Sequence, residues 1–249
     1  MRKIIYKIAL LFIGFQASSV FACNSEVIES SNLIGFVGCI SEDSARLLII
    51  AIEEKPRDLV LQSEGGAVEA ALRVAEKIQQ YSLNIRIRGY CHSSCANYIL
   101  PAAKHVTVED NSAIILHGDA RLAFEIFTNR NYTDPMLLLM LDGIARHEEL
   151  FSQNNEKASM LHALQKIAMT ETSRRVNVTF SENSYACTGM GLLPWVPSIG
   201  LMLKLGILNE SVPYDDRVLP MIKFRLQDFG FGTRIHENNP MDSCQRIFR

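Results

Sequence analysis

Three short segments carry residues able to do acyl-transfer chemistry. Gly89–Tyr98 (GYCHSSCANY) places two serines, Ser93 and Ser94, where an extended stretch gives way to a helix. Ala113–His117 (AIILH) is a strand-like run that delivers His117 at its C-terminal end. Leu61–Val68 (LQSEGGAV) combines a strand end, a pair of glycines and the start of a helix. A serine hydroxyl is a weak nucleophile until a base takes its proton, and acyl transfer also needs preorganised donors for the oxyanion. A serine at a helix start, a histidine at a strand end and N–H groups bared at a Gly-Gly turn supply those parts. Each alone has a plainer role, as a helix cap, a structural histidine or a turn. Their combination is what points to chemistry.

Elements of regular structure must bring the three segments together. Strands are predicted over Leu33–Ile40, Asp58–Leu61, Asn84–Arg88, His105–Val108 and Ala113–Leu116. Helices are predicted over Glu42–Glu53, Ala67–Gln80 and Ser94–Ala103, the second with Val68, Leu72, Ala75 and Ile78 on one stripe. Strand and helix alternating at this spacing give βαβ units, a largely parallel sheet and an α/β fold. Sites in such sheets form at the carboxyl ends of strands, and all three segments end there. Asp134-Pro135 then opens a helix running to about Phe151, and another follows near Lys157–Thr170. A helical insertion of about 119–170 therefore follows the histidine strand. Thr188–Pro197 reads as loop, Ser198–Lys204 as a short helix, and 230–249 as an irregular tail.

The first 22 residues differ from the rest. Arg2, Lys3 and Lys7 precede an apolar run of eight, Ile8–Phe15, and Gln16–Ala22 ends with Val20 and Ala22 at positions −3 and −1. This is the pattern of an export signal cleaved after Ala22, and the run is too short to span a bilayer. The expected location is periplasmic or secreted. Cys23 at the new N-terminus offers a lipoprotein alternative, which Phe21 at −2 disfavours. The full chain carries 25 Lys+Arg against 27 Asp+Glu, a net charge of −2; removing three cations leaves −2 − 3 = −5. A nucleic-acid binder working through a basic surface is thereby excluded. Residues 23–229 form the expected α/β domain.

An oxidising compartment makes disulfides plausible among Cys23, Cys39, Cys91, Cys95, Cys187 and Cys244, and six cysteines allow 15 pairings. Chain proximity suggests Cys23–Cys39 and Cys187–Cys244, while a Cys91–Cys95 bridge would bracket Ser93 and Ser94. A zinc site from Cys91, His92, Cys95 and His117 has poor spacing, and CHSSC is one residue too long for a redox CxxC. No metal and no cofactor is expected. His92, His105, His147, His162 and His236 read as surface or satisfied histidines. The apolar run Leu137–Leu141 reads as a core or oligomer-contact helix.

The same segments carry a resemblance. LQSEGGAV is similar to the NSPGGxV segment of the Clp protease proteolytic subunit and its relatives. SSCANYILPAA resembles that family's nucleophile helix ASMGAFLLAA, and SAIILHGD its ARIMIHQP strand. Order agrees, with 23 residues between Ser94 and His117, and WVPSIGLMLKLGI (Trp195–Ile207) resembles the family's closing segment. The likeness covers roughly Leu33–Ile207. It implies a ClpP/crotonase-like spiral fold of repeated ββα units, rather than a doubly wound sheet. It also implies Ser94 as nucleophile, His117 as general base and the backbone N–H groups of Gly66 and Cys95 as oxyanion donors, with Ser93 as the alternative nucleophile. The family's acid precedes the Trp195–Ser198 segment, where this chain has Leu192-Leu193-Pro194; Glu171 and Glu182 are the nearest upstream acids and neither is in register.

The function implied is an exported, ATP-independent serine hydrolase acting on peptides or proteins, self-associating and needing no ATPase partner. The missing acid motivates an alternative, a catalytically inactive binding or assembly protein on the same fold. A crotonase-like acyl-thioester enzyme ranks below both.

Overall fold

A computed structural model describes residues 24–110, 112–129, 135–173, 202–203 and 205–209. Its centre is an α/β unit. Strand β1 (Ser25–Glu29) pairs antiparallel with β2 (Leu33–Ile40). From β2 the chain passes through α1 (Glu42–Glu54), β3 (Asp58–Gly66), α2 (Val68–Gln80) and β4 (Ile85–His92). A π-helical turn, Cys95–Ile99, continues into α3 (Leu100–Ala102), and β5 (Val106–Val108) and β6 (Ala113–Ile115) follow. Three further helices are α4 (Ala120–Asn129), α5 (Pro135–Gln153) and α6 (Glu156–Ser173).

The sheet order is β1-β2-β3-β4-β5, with β6 also on β4, and every pair after the first is parallel. Sequence order therefore runs across the sheet without the reversal of a doubly wound fold. Parallel crossovers are right-handed, which places α1 and α2 on one face, where they pack against each other. Their apolar stripes are the reason: Ala45, Leu48, Ala51 and Ile52 of α1 and Leu72, Ala75 and Ile78 of α2 are all buried. Beneath them lie Ile34, Phe36, Leu59, Leu61, Ile85 and Ile87, the inward residues of β2, β3 and β4.

The predicted elements recur with informative differences. β3 extends past Leu61 through Gly65-Gly66, because Cys39 and Ile40 of β2 continue to pair with those glycines. β4 likewise runs past Arg88. Its first half, Ile85–Ile87, pairs with β5, and its second half, Tyr90–His92, pairs with β6. Gly89, with φ of 84°, stands at the changeover, and its N–H donates to Ser112 Oγ at 2.8 Å. The helix expected over Ser94–Ala103 is the π-turn plus α3. Strand β1 and helix α4 were not anticipated. Thr188–Pro197, most of Ser198–Lys204, residues 1–22 and the tail 230–249 lie outside the described residues.

Candidate functional site

β4 and β6 lie side by side and set the two halves of the site. β4 ends at His92, and the chain turns at once into the π-turn. Ser93 makes that corner in the left-handed region, with φ of 57°. A non-glycine residue there is uncommon and costs roughly 1–3 kcal/mol unless its surroundings impose it. Here they do: Ser93 N–H donates to Ile115 O of β6 at 3.1 Å, and Asn97 N–H to Ser93 O at 2.9 Å. β6 leads through Leu116 to His117, whose Nε2 lies 2.5 Å from Ser93 Oγ. Both side chains are only half-buried, which leaves them within reach of solvent.

Ser94 stands differently. It is 2% exposed, and its hydroxyl donates to Gly66 O at 2.7 Å. His117 therefore meets Ser93, where the resemblance implied Ser94. A π-turn closes with bonds one residue longer than an α-helix, and Ser93 precedes it in a left-handed corner. Helical register cannot be carried back across such a corner to choose between neighbouring serines. Ser94 instead ties the corner to the end of β3.

The glycine pair explains itself at the same place. A Cβ on Gly65 would lie 2.5 Å from His92 O, 2.7 Å from Ser93 Cβ and 2.8 Å from Ser94 N, so the corner packs directly on bare backbone. Gly65 has φ of 84° and Gly66 of 148°, and a Cβ on Gly66 would collide with Ile40 O. Cys95 begins the π-turn and is bonded to Cys91 (Cα–Cα 5.4 Å). The bridge encloses His92, Ser93 and Ser94 in a five-residue ring and removes both thiolates from any metal reading. Cys39 is also disulfide-bonded. Cys23, Cys187 and Cys244 fall outside the described residues.

Two histidines share the site. The His92 and His117 rings meet edge to face with centroids 5.2 Å apart. Burial, then proximity to His117, push the His92 pKa down to about 3, against a raising hydrogen bond from the Glu64 main chain. Burial also lowers His117, opposed by a main-chain hydrogen bond and by the negative charge of Asp119. A neutral imidazole beside a serine hydroxyl is the protonation state a general base requires.

Behind His117 the chain turns at Gly118–Arg121, and side chains from three elements hold that turn. Asn97 Nδ2 of the π-turn donates to Gly118 O at 2.6 Å, and Gly118 N–H donates to Gln165 Oε1 of α6 at 2.8 Å. Ala120 N–H donates to Tyr98 Oη at 3.2 Å, and Arg121 N–H to Glu148 Oε2 of α5 at 3.2 Å. Asp119, Glu148 and His162 approach one another closely enough to suggest a metal centre. Their oxygens are already committed. Asp119 Oδ1 accepts from Leu122 N–H at 2.9 Å and Oδ2 lies 2.6 Å from His162 Nδ1. Glu148 Oε1 accepts from Arg121 Nε at 3.3 Å, and Oε2 also from Tyr98 Oη at 3.3 Å. With the Arg121 guanidinium already supplying positive charge, the cluster works as an anchor. Burial and then Asp119 push Glu148 above the usual carboxyl range, opposed by the Arg121 guanidinium and main chain.

The remaining predicted residues scatter. Glu171 lies in the last turn of α6 and Glu182 outside the described residues. His147 sits between Glu69 (2.6 Å) and Glu76 (3.0 Å) of α2, and His105 lines a cleft at the amino ends of the strands with Asp58, Asn84 and Arg86. His236 lies outside the described residues. Asp119 went unassigned in the sequence although it stands in the same HGD triplet as His117; its proximity in the chain was the available signal. No protein-family model matches the chain, and no curated protein is significantly similar to it. Among the described residues, no helix is long and apolar enough to cross a membrane.

Proposed function

We propose that the protein is a serine hydrolase acting on peptides or proteins, with Ser93 as nucleophile and His117 as general base. The single observation that carries this reading is the 2.5 Å approach of His117 Nε2 to the hydroxyl of a serine in a left-handed strand-to-helix corner. In the reaction, the Ser93 proton passes to Nε2 as Oγ attacks the acyl carbon. The carbonyl oxygen becomes an oxyanion, and the protonated His117 then gives its proton to the leaving group. Water repeats the sequence to release the acid. The donor following the nucleophile is the Ser94 N–H. Gly66 N–H and Cys95 N–H, the donors paired with a Ser94 nucleophile, belong to the other register.

The spiral arrangement of ββα units accords with a strand order that never reverses and with β4 handing over from β5 to β6. Export accords with the N-terminal pattern and with a buried disulfide, a bond that persists in oxidising compartments. Self-association would use α5, where Met136, Leu139 and Met140 are exposed. Labelling of the purified protein with a fluorophosphonate tests the hydrolase reading. The expected result is a serine adduct that Ser93→Ala abolishes. A folded protein that takes up no probe across pH 5–9 would instead favour a non-catalytic binding role.

A further inference from the structure

Glu64 stands near the end of β3, one residue before the glycine on which the Ser93 corner packs. We propose that its carboxylate is the docking point for a cationic side chain, lysine or arginine, in the substrate residue next to the bond that Ser93 attacks. This rests on the hydrolase reading and names the substrate class of that same site.

Strand register places Glu64 on the face that carries His117. Along β3, buried Leu59, Leu61, Ser63 and Gly65 alternate with half-buried Val60, Gln62 and Glu64. Leu59 and Leu61 lie beneath α1 and α2, so the alternation turns Glu64 to the opposite face of the sheet. Ser63 is paired with Cys91, which brings Glu64 level with His92 one residue further on. His92 is paired in turn with Ile115, two residues before His117. Contacts agree with that register. The His92 ring hydrogen-bonds the Glu64 main chain and meets the His117 ring edge to face.

The carboxylate itself is unmatched. Its Oε2 is closed off from solvent without a hydrogen-bond partner, and no ion pair reaches the side chain among the described residues. The cations that β4 turns to this face, Arg86 and Arg88, are already committed to Glu109. The neighbouring imidazoles bring no opposite charge: burial, then His117, push His92 down to about 3, and burial lowers His117 as well. An oxygen withheld from water and given no donor is costly to keep, and such a group calls for a partner that completes it. An ammonium or guanidinium supplies both the donors and the opposite charge, in a place partly shielded from water where a charge-assisted bond is strengthened. An acidic side chain in the same position would meet like charge. Glu64 acts by binding alone, and the proton still passes between Ser93 and His117.

The test uses three peptidyl diphenylphosphonates, alike except for a lysine, norleucine or glutamate side chain beside the phosphorus, with a plain fluorophosphonate alongside. The readout is the ratio of labelling rates, which a variant that merely loosens the site lowers for every probe alike and leaves unmoved. The lysine probe should label the purified protein faster than the norleucine probe by about tenfold or more, and the glutamate probe should be slowest. Glu64→Gln should bring the lysine and norleucine rates together, and Glu64→Lys should favour the glutamate probe. Should Glu64→Gln fail to fold, Glu64→Asp should keep a reduced lysine preference. Equal lysine and norleucine rates in a protein that takes up the fluorophosphonate would overturn this assignment alone, as would an undiminished preference in Glu64→Gln. A folded protein that takes up none of the four probes would overturn the hydrolase reading and this assignment with it.

Discussion

Ser93 Oγ and His117 Nε2 lie 2.5 Å apart, although 24 residues of chain separate them. The contact exists because β4 and β6 are parallel neighbours whose ends fall together, Cys91 opposite Ile114 and His92 opposite Ile115. A hydroxyl beside a neutral imidazole, in a corner that nothing but tertiary packing would impose, is a costly arrangement for a merely structural serine.

The two adjacent serines should separate cleanly on mutation. Ser93→Ala is expected to abolish fluorophosphonate labelling and leave the melting temperature nearly unchanged, since its hydroxyl is half-buried. Ser94→Ala strands the Gly66 carbonyl without its donor, and removing a buried partner costs about 1–3 kcal/mol. Labelling should survive in Ser94→Ala at temperatures below its lowered melting point. The reverse outcome in the two variants would restore Ser94 as nucleophile.

Gly65 admits no side chain. A Cβ would press within 2.5 Å of His92 O on a residue with φ of 84°. Gly65→Ala must move either the β3 end or the Ser93 corner, with an expected loss of at least about 2–3 kcal/mol in denaturant unfolding. Gly143, with open space around it, is the control: Gly143→Ala inside α5 should stabilise by roughly 0.5–1 kcal/mol. Equal effects at the two positions would remove the packing argument.

Two histidines should tilt the stability profile in opposite directions. Unfolded His92 takes a proton near pH 6.5. The folded protein does not take it until about pH 3. Between these values the unfolded state holds the extra proton, so stability falls as pH is lowered, by up to about 1.4 kcal/mol per pH unit. His92→Phe should flatten that slope, and His117 contributes in the same sense. For His147, burial lowers the pKa but hydrogen bonds and charge from Glu76 and Glu69 outweigh it, and the net shift is upward. Its contribution is complete below pH 6.5 and is lost as pH rises through the raised value. His147→Ala should therefore cost stability at pH 6 and little at pH 9, as read from denaturant midpoints.

The Cys91–Cys95 ring is small, and a chain-entropy treatment of a five-residue loop gives about 2 kcal/mol. Both sulfurs are buried, so a reductant should act at its usual rate only once the protein opens. Cys91→Ala/Cys95→Ala is expected to melt lower and to label more slowly, because the ring restrains Ser93. Full labelling at an unchanged melting temperature would show that the π-turn alone fixes the corner.

Much was legible in the sequence because local patterns are local physics. The period of the apolar residues in α1 and α2 dictated both helices, and parallel strands ending in Gly65-Gly66, Ser93-Ser94 and His117 dictated a shared edge for the three segments. What packing alone decided is finer by a residue. Gly65 presses on the corner and Ile115 receives the Ser93 N–H, and together they turn Ser93, not Ser94, toward His117. The anchored turn behind His117 was hidden for a related reason. Asp119 beside His117 is an ordinary loop aspartate until His162, 43 residues away, takes its oxygen in a buried pocket. Side-chain chemistry and strand order follow from sequence; which of two neighbours faces His117, and what fixes the turn behind it, depend on contacts between segments that no local pattern records.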